Sequence, residues 1–82
     1  EIKQTKLTNL EVGQRGSIIR VPHEDPRVLR FLEECGILPG TKIKLLARTP
    51  YDQTMRLLII DLGQESIIGP QLGEQITMMV ES

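Results

Sequence analysis

The densest group of side chains that could bind a metal ion is the run His23-Glu24-Asp25. Imidazole and carboxylate groups together suit divalent iron, manganese or zinc. Adjacent residues rarely converge on one ion, and a transition-metal site usually takes four or more ligands. His23 and Glu24 are therefore candidate metal ligands, in a site that this run alone leaves incomplete.

The same run also has a purely structural interpretation. Asp25 stands before Pro26, and Asp is a favoured N-cap while Pro suits the first position of a helix. Glu24 would then lie near a helix N-terminus, where a negative charge is stabilising, and His23 would be a solvated loop residue. This is the favoured interpretation, because Asp is among the best N-cap residues.

Three other side chains could carry chemistry, and each has a simpler explanation. Cys35 could be a redox sensor or a metal ligand, but its place on an apolar stripe favours packing in the core. Met78 and Met79 could form a soft metal site, but strand alternation must point one of them inward. Tyr51 is either an exposed contact or a cover for the end of the fold, and the sequence leaves both open.

The sequence contains no arrangement that predicts an enzyme. His23 and Cys35 lie at opposite ends of a short predicted helix, so they cannot act as a nucleophile and its base. The adjacent Glu33 and Glu34 lie on a solvated helix face, and no glycine-rich phosphate loop precedes a helix. We therefore expect a binding protein.

Composition excludes several classes of binding protein. The 82 residues make one domain, and their net charge of -1 argues against strong electrostatic binding of nucleic acid. The two aromatic residues, Phe31 and Tyr51, are too few for base stacking or for reading proline-rich peptides. The aliphatic run 57–60 is too short to span a membrane. A single cysteine suits a reducing compartment, so a cytoplasmic location is expected.

One helix is predicted over about residues 26–35. Val28, Phe31, Leu32 and Cys35 recur at helical spacing and predict an apolar stripe facing the core. Gly36 supplies the stop, since glycine readily takes the left-handed conformation that ends a helix.

The rest of the chain has β character. Residues 1–6 are polar and read as a linker or tail. Turn signals and β-branched residues predict about five strands, with one helical turn over 71–75. A flat sheet of such strands would leave open edges, so we expect a small closed barrel. The five strands are predicted over 17–21, 42–48, 55–61, 64–68 and 76–80.

Several motifs together resemble the FeoA domain over the stretch from Leu7 to Val80. The resemblance implies a mainly β fold, a small SH3-like barrel with one inserted short helix, over residues 7–82. Its specific part is the segment after the helix, and the remaining motifs are more scattered. The motifs are Leu10-x-x-Gly13-x-x-Gly16-x-Ile18, Gly36-Ile37-Leu38-Pro39-Gly40-Thr41, Ala47-x-x-Pro50 and Leu72-x-x-x-Ile76.

The resemblance implies one of two functions. The stretch from Val21 to Pro26 is similar to the C-terminal domain of metal-dependent repressors of the diphtheria toxin repressor (DtxR) type, and the absence of an initial Met favours an excised domain. Such a domain would contact other domains of the repressor or its dimer partner, without binding nucleic acid itself. The alternative is a free-standing protein that binds the cytosolic part of a ferrous iron transporter.

The repressor interpretation also implies a metal, iron or manganese, in the parent protein. Some repressors of this type lend ligands from this domain through a Glu-x-x-Gln pattern. Glu24 matches the Glu of that pattern, but Arg27 stands where the Gln would be, and a guanidinium cannot ligate a cation. The carry-over therefore stops at Glu24.

Overall fold

Six strands and two short helices follow one another in the computed structural model, which describes residues 3–81. Neither helix in this range is long and apolar enough to cross a membrane. In chain order the elements are β1 (Lys3–Lys6), a 3-10 turn (Leu7–Asn9), β2 (Arg15–Arg20), α1 (Pro26–Cys35), β3 (Lys42–Arg48), β4 (Met55–Ile59), β5 (Gln64–Ile68), α2 (Pro70–Gly73) and β6 (Thr77–Val80).

All six strands form one antiparallel sheet in the order β1-β6-β2-β3-β4-β5. The last strand therefore lies between the first two. Register shifts interrupt β2 between Ile18 and Arg20 and β3 between Leu45 and Ala47, and such bulges bend strands. The hydrogen-bond ladder ends at β1 and β5, so these two strands remain edges of the sheet. The sheet encloses its core by bending, whereas the sequence predicted a closed barrel without edges.

The core is aliphatic. Alternate residues of the strands point inward, and Leu32 of α1 and Ile37 after it close the open side of the core. No aromatic side chain is buried in residues 3–81. The buried side chains are Leu7, Leu10, Ile18, Val21, Leu32, Ile37, Ile43, Leu45, Met55, Leu57, Ile59, Ile68, Ile76 and Met78.

The predicted fold class is confirmed, with differences at the level of single strands. β3 and β5 have the predicted bounds, whereas β4 ends at Ile59 because a turn begins at Ile60. Lys3–Lys6, predicted as linker, forms β1 and pairs with β6. Backbone hydrogen bonds hold an edge strand without apolar side chains, so its polar composition was misleading. Glu1 and Ile2, the rest of the predicted linker, lie outside the described residues.

The predicted bounds of α1 are confirmed. The Asp25 side chain accepts a hydrogen bond from the backbone N–H of Arg27, and Gly36 ends the helix with a φ of 82°. Val28 and Cys35 of the predicted stripe pack against the core with Leu32. Phe31 does not, being 44% exposed. The helix turns its Leu32 side toward the core, which leaves Phe31 at the margin.

Arg48 ties β3 to the segment that follows β1. Its guanidinium donates hydrogen bonds to the carbonyl oxygens of Thr8, at 2.7 Å, and Leu10, at 2.8 Å. Thr8 lies within the 3-10 turn and Leu10 directly follows it, where carbonyl groups lack regular backbone partners. A charge-assisted donor is a strong partner for them, so one side chain fixes the path of the chain between β1 and β2.

Gly36→Val should destabilise the fold by about 1–2 kcal/mol, because a β-branched side chain is strained at positive φ. Gly36→Asn is the matched control, since it adds the same β-carbon near Leu62 but Asn tolerates the left-handed conformation. The urea midpoints of the two variants measure the difference. Equal midpoints would show that the conformation at Gly36 is not what limits substitution.

Arg48→Met should cost about 1–3 kcal/mol, because it keeps the apolar stem but leaves two carbonyl groups without their donor. Arg30→Met, on the exposed surface of α1, should change stability by less than about 0.5 kcal/mol. Thermal or denaturant unfolding compares the two. Equal losses would contradict the tie that we assign to Arg48.

Candidate functional site

The loop between β2 and α1 holds the predicted metal ligands. Val21 anchors the loop in the core, and the chain then emerges so that His23 and Glu24 are exposed. Asp25 follows as the helix cap. The two candidate ligands are therefore accessible from solvent, next to the first turn of α1.

Asp25 is already engaged within the chain. Its Oδ1 accepts the backbone N–H of Arg27 at 2.9 Å, and the Nε of the same arginine lies 3.6 Å from this oxygen. A guanidinium beside the carboxylate occupies the place of a competing cation. The geometry thus confirms the predicted cap, and it makes Asp25 a poor third ligand.

The residues present do not fit a complete metal site. Within residues 3–81, no three or more His, Cys, Asp or Glu side chains are grouped so that they could hold a metal ion. His23 and Glu24 supply two potential ligands, whereas a transition-metal ion usually takes at least four. Any ion held at this loop would need the rest of its ligands from another part of a larger assembly.

Cys35 is the last residue of α1 and packs, partly buried, against the core. A ten-residue helix is about 15 Å long, so the thiol is far from His23. The structure does not bring these two residues together. Met78 is buried, as strand alternation predicts for one of the two methionines, while Met79 is half-buried on the other face.

A shallow groove beside α1 exposes Phe31. The half-buried Val28 and Leu72 line it, and the ion-paired Asp25 and Arg27 border it. The helical spacing predicted that Phe31 faces the core, which is wrong, and this surface was therefore not predicted. The sequence did contain a sign that Phe31 could be exposed. Val28, Leu32 and Cys35 already form an apolar stripe on α1, so the helix does not need Phe31 to face the core.

Tyr51 is 96% exposed at the tip of the hairpin between β3 and β4. The structure selects the first of its two open interpretations, an exposed side chain. The hairpin loop is fixed by backbone hydrogen bonds between Thr49 and both Gln53 and Thr54. The Thr54 backbone N–H also donates to Asp52, and this hydrogen bond lowers the pKa of the Asp52 carboxyl. Tyr51 is thus presented on an ordered loop.

The candidate features of the chain lie on its surface. Residues 3–81 bury no polar or charged side chain. Their exposed aromatic side chains and the two-ligand loop suit contacts with another macromolecule.

Solved structures with the same fold include both repressors and a small FeoA protein. A manganese-dependent transcriptional repressor in complex with manganese is 23% identical, with a TM-score of 0.85 over 95% of this chain and 37% of its own. T. acidophilum IdeR is 27% identical, with a TM-score of 0.80 over 95% of this chain and 34% of its own. This chain thus spans about a third of the length of either protein.

The FeoA protein from Chlorobium tepidum is 26% identical, with a TM-score of 0.83 over 95% of this chain and 71% of its own. These likenesses confirm the predicted SH3-like fold. Comparison with curated proteins finds no match. A family model described as the FeoA domain matches residues 5–80. Since that match includes nearly the whole sequence, the chain belongs to the FeoA domain family.

Proposed function

We propose that this chain is the C-terminal regulatory domain of a metal-dependent repressor of the DtxR type, and that it works by protein–protein contact without catalysis. The observation that carries the proposal is the fit of 95% of the chain onto about a third of a manganese-dependent transcriptional repressor. The loop from Val21 to Pro26, where the sequence resembles the repressor version, adds support. The contacts would be with other domains of the repressor or with its dimer partner.

A second candidate function is a free-standing accessory protein of ferrous iron transport. The supporting observation is the FeoA protein of Chlorobium tepidum, most of whose length this chain matches at similar identity. Its partner would be the cytosolic part of an iron transporter. Both candidates are binding functions, so the partner and not the fold distinguishes them.

The repressor proposal gives the loop before α1 a partial role in metal binding. Glu24, with His23 beside it, would lend a ligand to an iron or manganese ion whose other ligands come from another domain. The metal would then favour the docked arrangement by the difference in its affinity for the docked and undocked states. Asp25 would remain the helix cap throughout.

Binding to two partners tests the choice between the functions. The labelled chain is mixed with the remainder of the repressor gene product, and separately with the cytosolic part of an iron transporter from the same genome. Association with the first supports the repressor proposal. Association with the transporter part alone would contradict it and favour the accessory protein.

The chain by itself should bind divalent iron or manganese with a dissociation constant of roughly 100 μM or weaker, because two ligands are too few for these ions. Calorimetric titration of the 82-residue chain measures this constant. Micromolar or tighter binding would show that the domain holds a complete site of its own.

In the full repressor, Glu24→Ala should raise the metal concentration needed for promoter binding, because it removes a ligand from the shared site. Glu33→Ala is the matched control, since it removes an exposed carboxylate from the other end of α1. Promoter binding is measured against metal concentration for both variants. Superimposable curves for the parent and Glu24→Ala would reduce Glu24 to a helix-end charge.

A further inference from the structure

The outward face of the sheet is strongly cationic, although the chain as a whole carries a net charge of -1. In β2 and β3 the buried residues alternate with residues that point away from the core. Five of the ten Lys and Arg residues of the chain lie on this outward face, or pair across strands with residues that do. We call them the cationic face: Lys6, Arg15, Arg20, Lys42 and Lys44.

Strand register places these cations next to one another. Arg15 lies directly opposite Lys44, and Lys42 follows on the same face two residues away. On the other side of β2, Thr77 of β6 lies between Lys6 of β1 and Arg20 of β2. Lys6 and Arg20 line one shallow groove. Like charges directly opposite each other destabilise a sheet, so this arrangement costs the fold free energy.

No carboxylate of residues 3–81 compensates that cost by close pairing. The ion pairs in this range join Arg27 to Asp25 and Arg56 to Glu65, and neither involves the cationic face. Glu33 and Glu34 are exposed on α1, which packs on the inner side of the sheet through Leu32. Glu65 also faces outward, but it lies on β5 and pairs with Arg56, so the cations on β1, β2 and β3 have no ion-paired carboxylate among residues 3–81.

We propose that the cationic face docks an acidic segment of a partner protein, a run rich in Asp and Glu. The inference rests on the proposed function, since it names the chemistry of one protein contact. Four neighbouring strands, β1, β6, β2 and β3, span about 15 Å at the usual strand spacing. That width matches a short extended segment that crosses the four strands. Its carboxylates would then lie next to the cations of successive strands.

Nucleic acid fits this face less well. Both aromatic residues lie elsewhere, Phe31 on α1 and Tyr51 at the hairpin tip, so no base can stack here. The face is the outer surface of a bent sheet, formed by strands and not by a helix that could enter a groove of duplex DNA. Proteins that bind duplex DNA tightly can make about six to ten phosphate contacts, and this face offers five cations.

The test uses a fluorescent decaglutamate peptide and the 82-residue chain, with anisotropy followed at low and at physiological ionic strength. Lys42→Glu should raise the dissociation constant about fivefold, since exposed charge contacts contribute up to about 1 kcal/mol each. Arg30→Glu is the control, because it makes the same charge change at an exposed position of α1 and should shift the constant less than about twofold. A thermal melt of each variant checks that the fold is retained.

Absence of peptide binding at low ionic strength, or equal effects of the two variants, would overturn the proposal. Tighter binding of a short DNA duplex, or of vesicles made of phosphatidylcholine and phosphatidylserine in equal parts, would also overturn it and assign the face to those partners.

Association with the remainder of the repressor separates the two proposals. If Lys42→Glu associates as well as the parent chain, the cationic face is irrelevant while the proposed function stands. If the peptide binds but the remainder does not, the proposed function fails alone.

Discussion

The close approach of β2 and β6 at Gly16 is the constraint on which the sheet depends. A β-carbon at this position would lie 2.7 Å from the carbonyl oxygen of Met79, too near for any other residue without movement of the backbone. β6 pairs with β1 on one side and with β2 on the other, so the ladder between β2 and β6 joins the β1–β6 pair to the rest of the sheet. Met78 enters the core from the same strand. A β-carbon at Gly36 or Gly73 would also meet close neighbours, but these are side-chain atoms, whereas at Gly16 the nearest atom belongs to the backbone.

The interior of this domain is aliphatic, and its other features lie on the surface. His23 and Glu24, the candidate ligands before α1, do not form a complete metal site among residues 3–81. The surface has three distinct regions: the groove beside Phe31, the ordered hairpin with Tyr51, and the cationic face. A family in which the same fold occurs within larger repressors and as a separate small protein is consistent with a module that acts through contacts.

Most of the confirmed predictions rest on local features of the sequence. The bounds of α1 follow from Asp25, Pro26 and Gly36, whose effects reach only a few residues along the chain. Features set by distant contacts were missed. β1 is held by backbone pairing with a strand more than 70 residues away, and the role of Arg48 depends on carbonyl groups about 40 residues earlier. The cationic face was invisible for the same reason, since net charge does not record which strands become neighbours.

The central claim is that the domain docks onto another protein through the outward face of its sheet. Titration of the isotope-labelled chain with the unlabelled remainder of the proposed parent repressor, followed by amide chemical shifts, tests it most directly. The account predicts that the shift changes concentrate on β1, β2 and β3, around Arg15, Lys42 and Lys44. Changes confined to α1 and the groove beside Phe31, with the sheet unaffected, would contradict it.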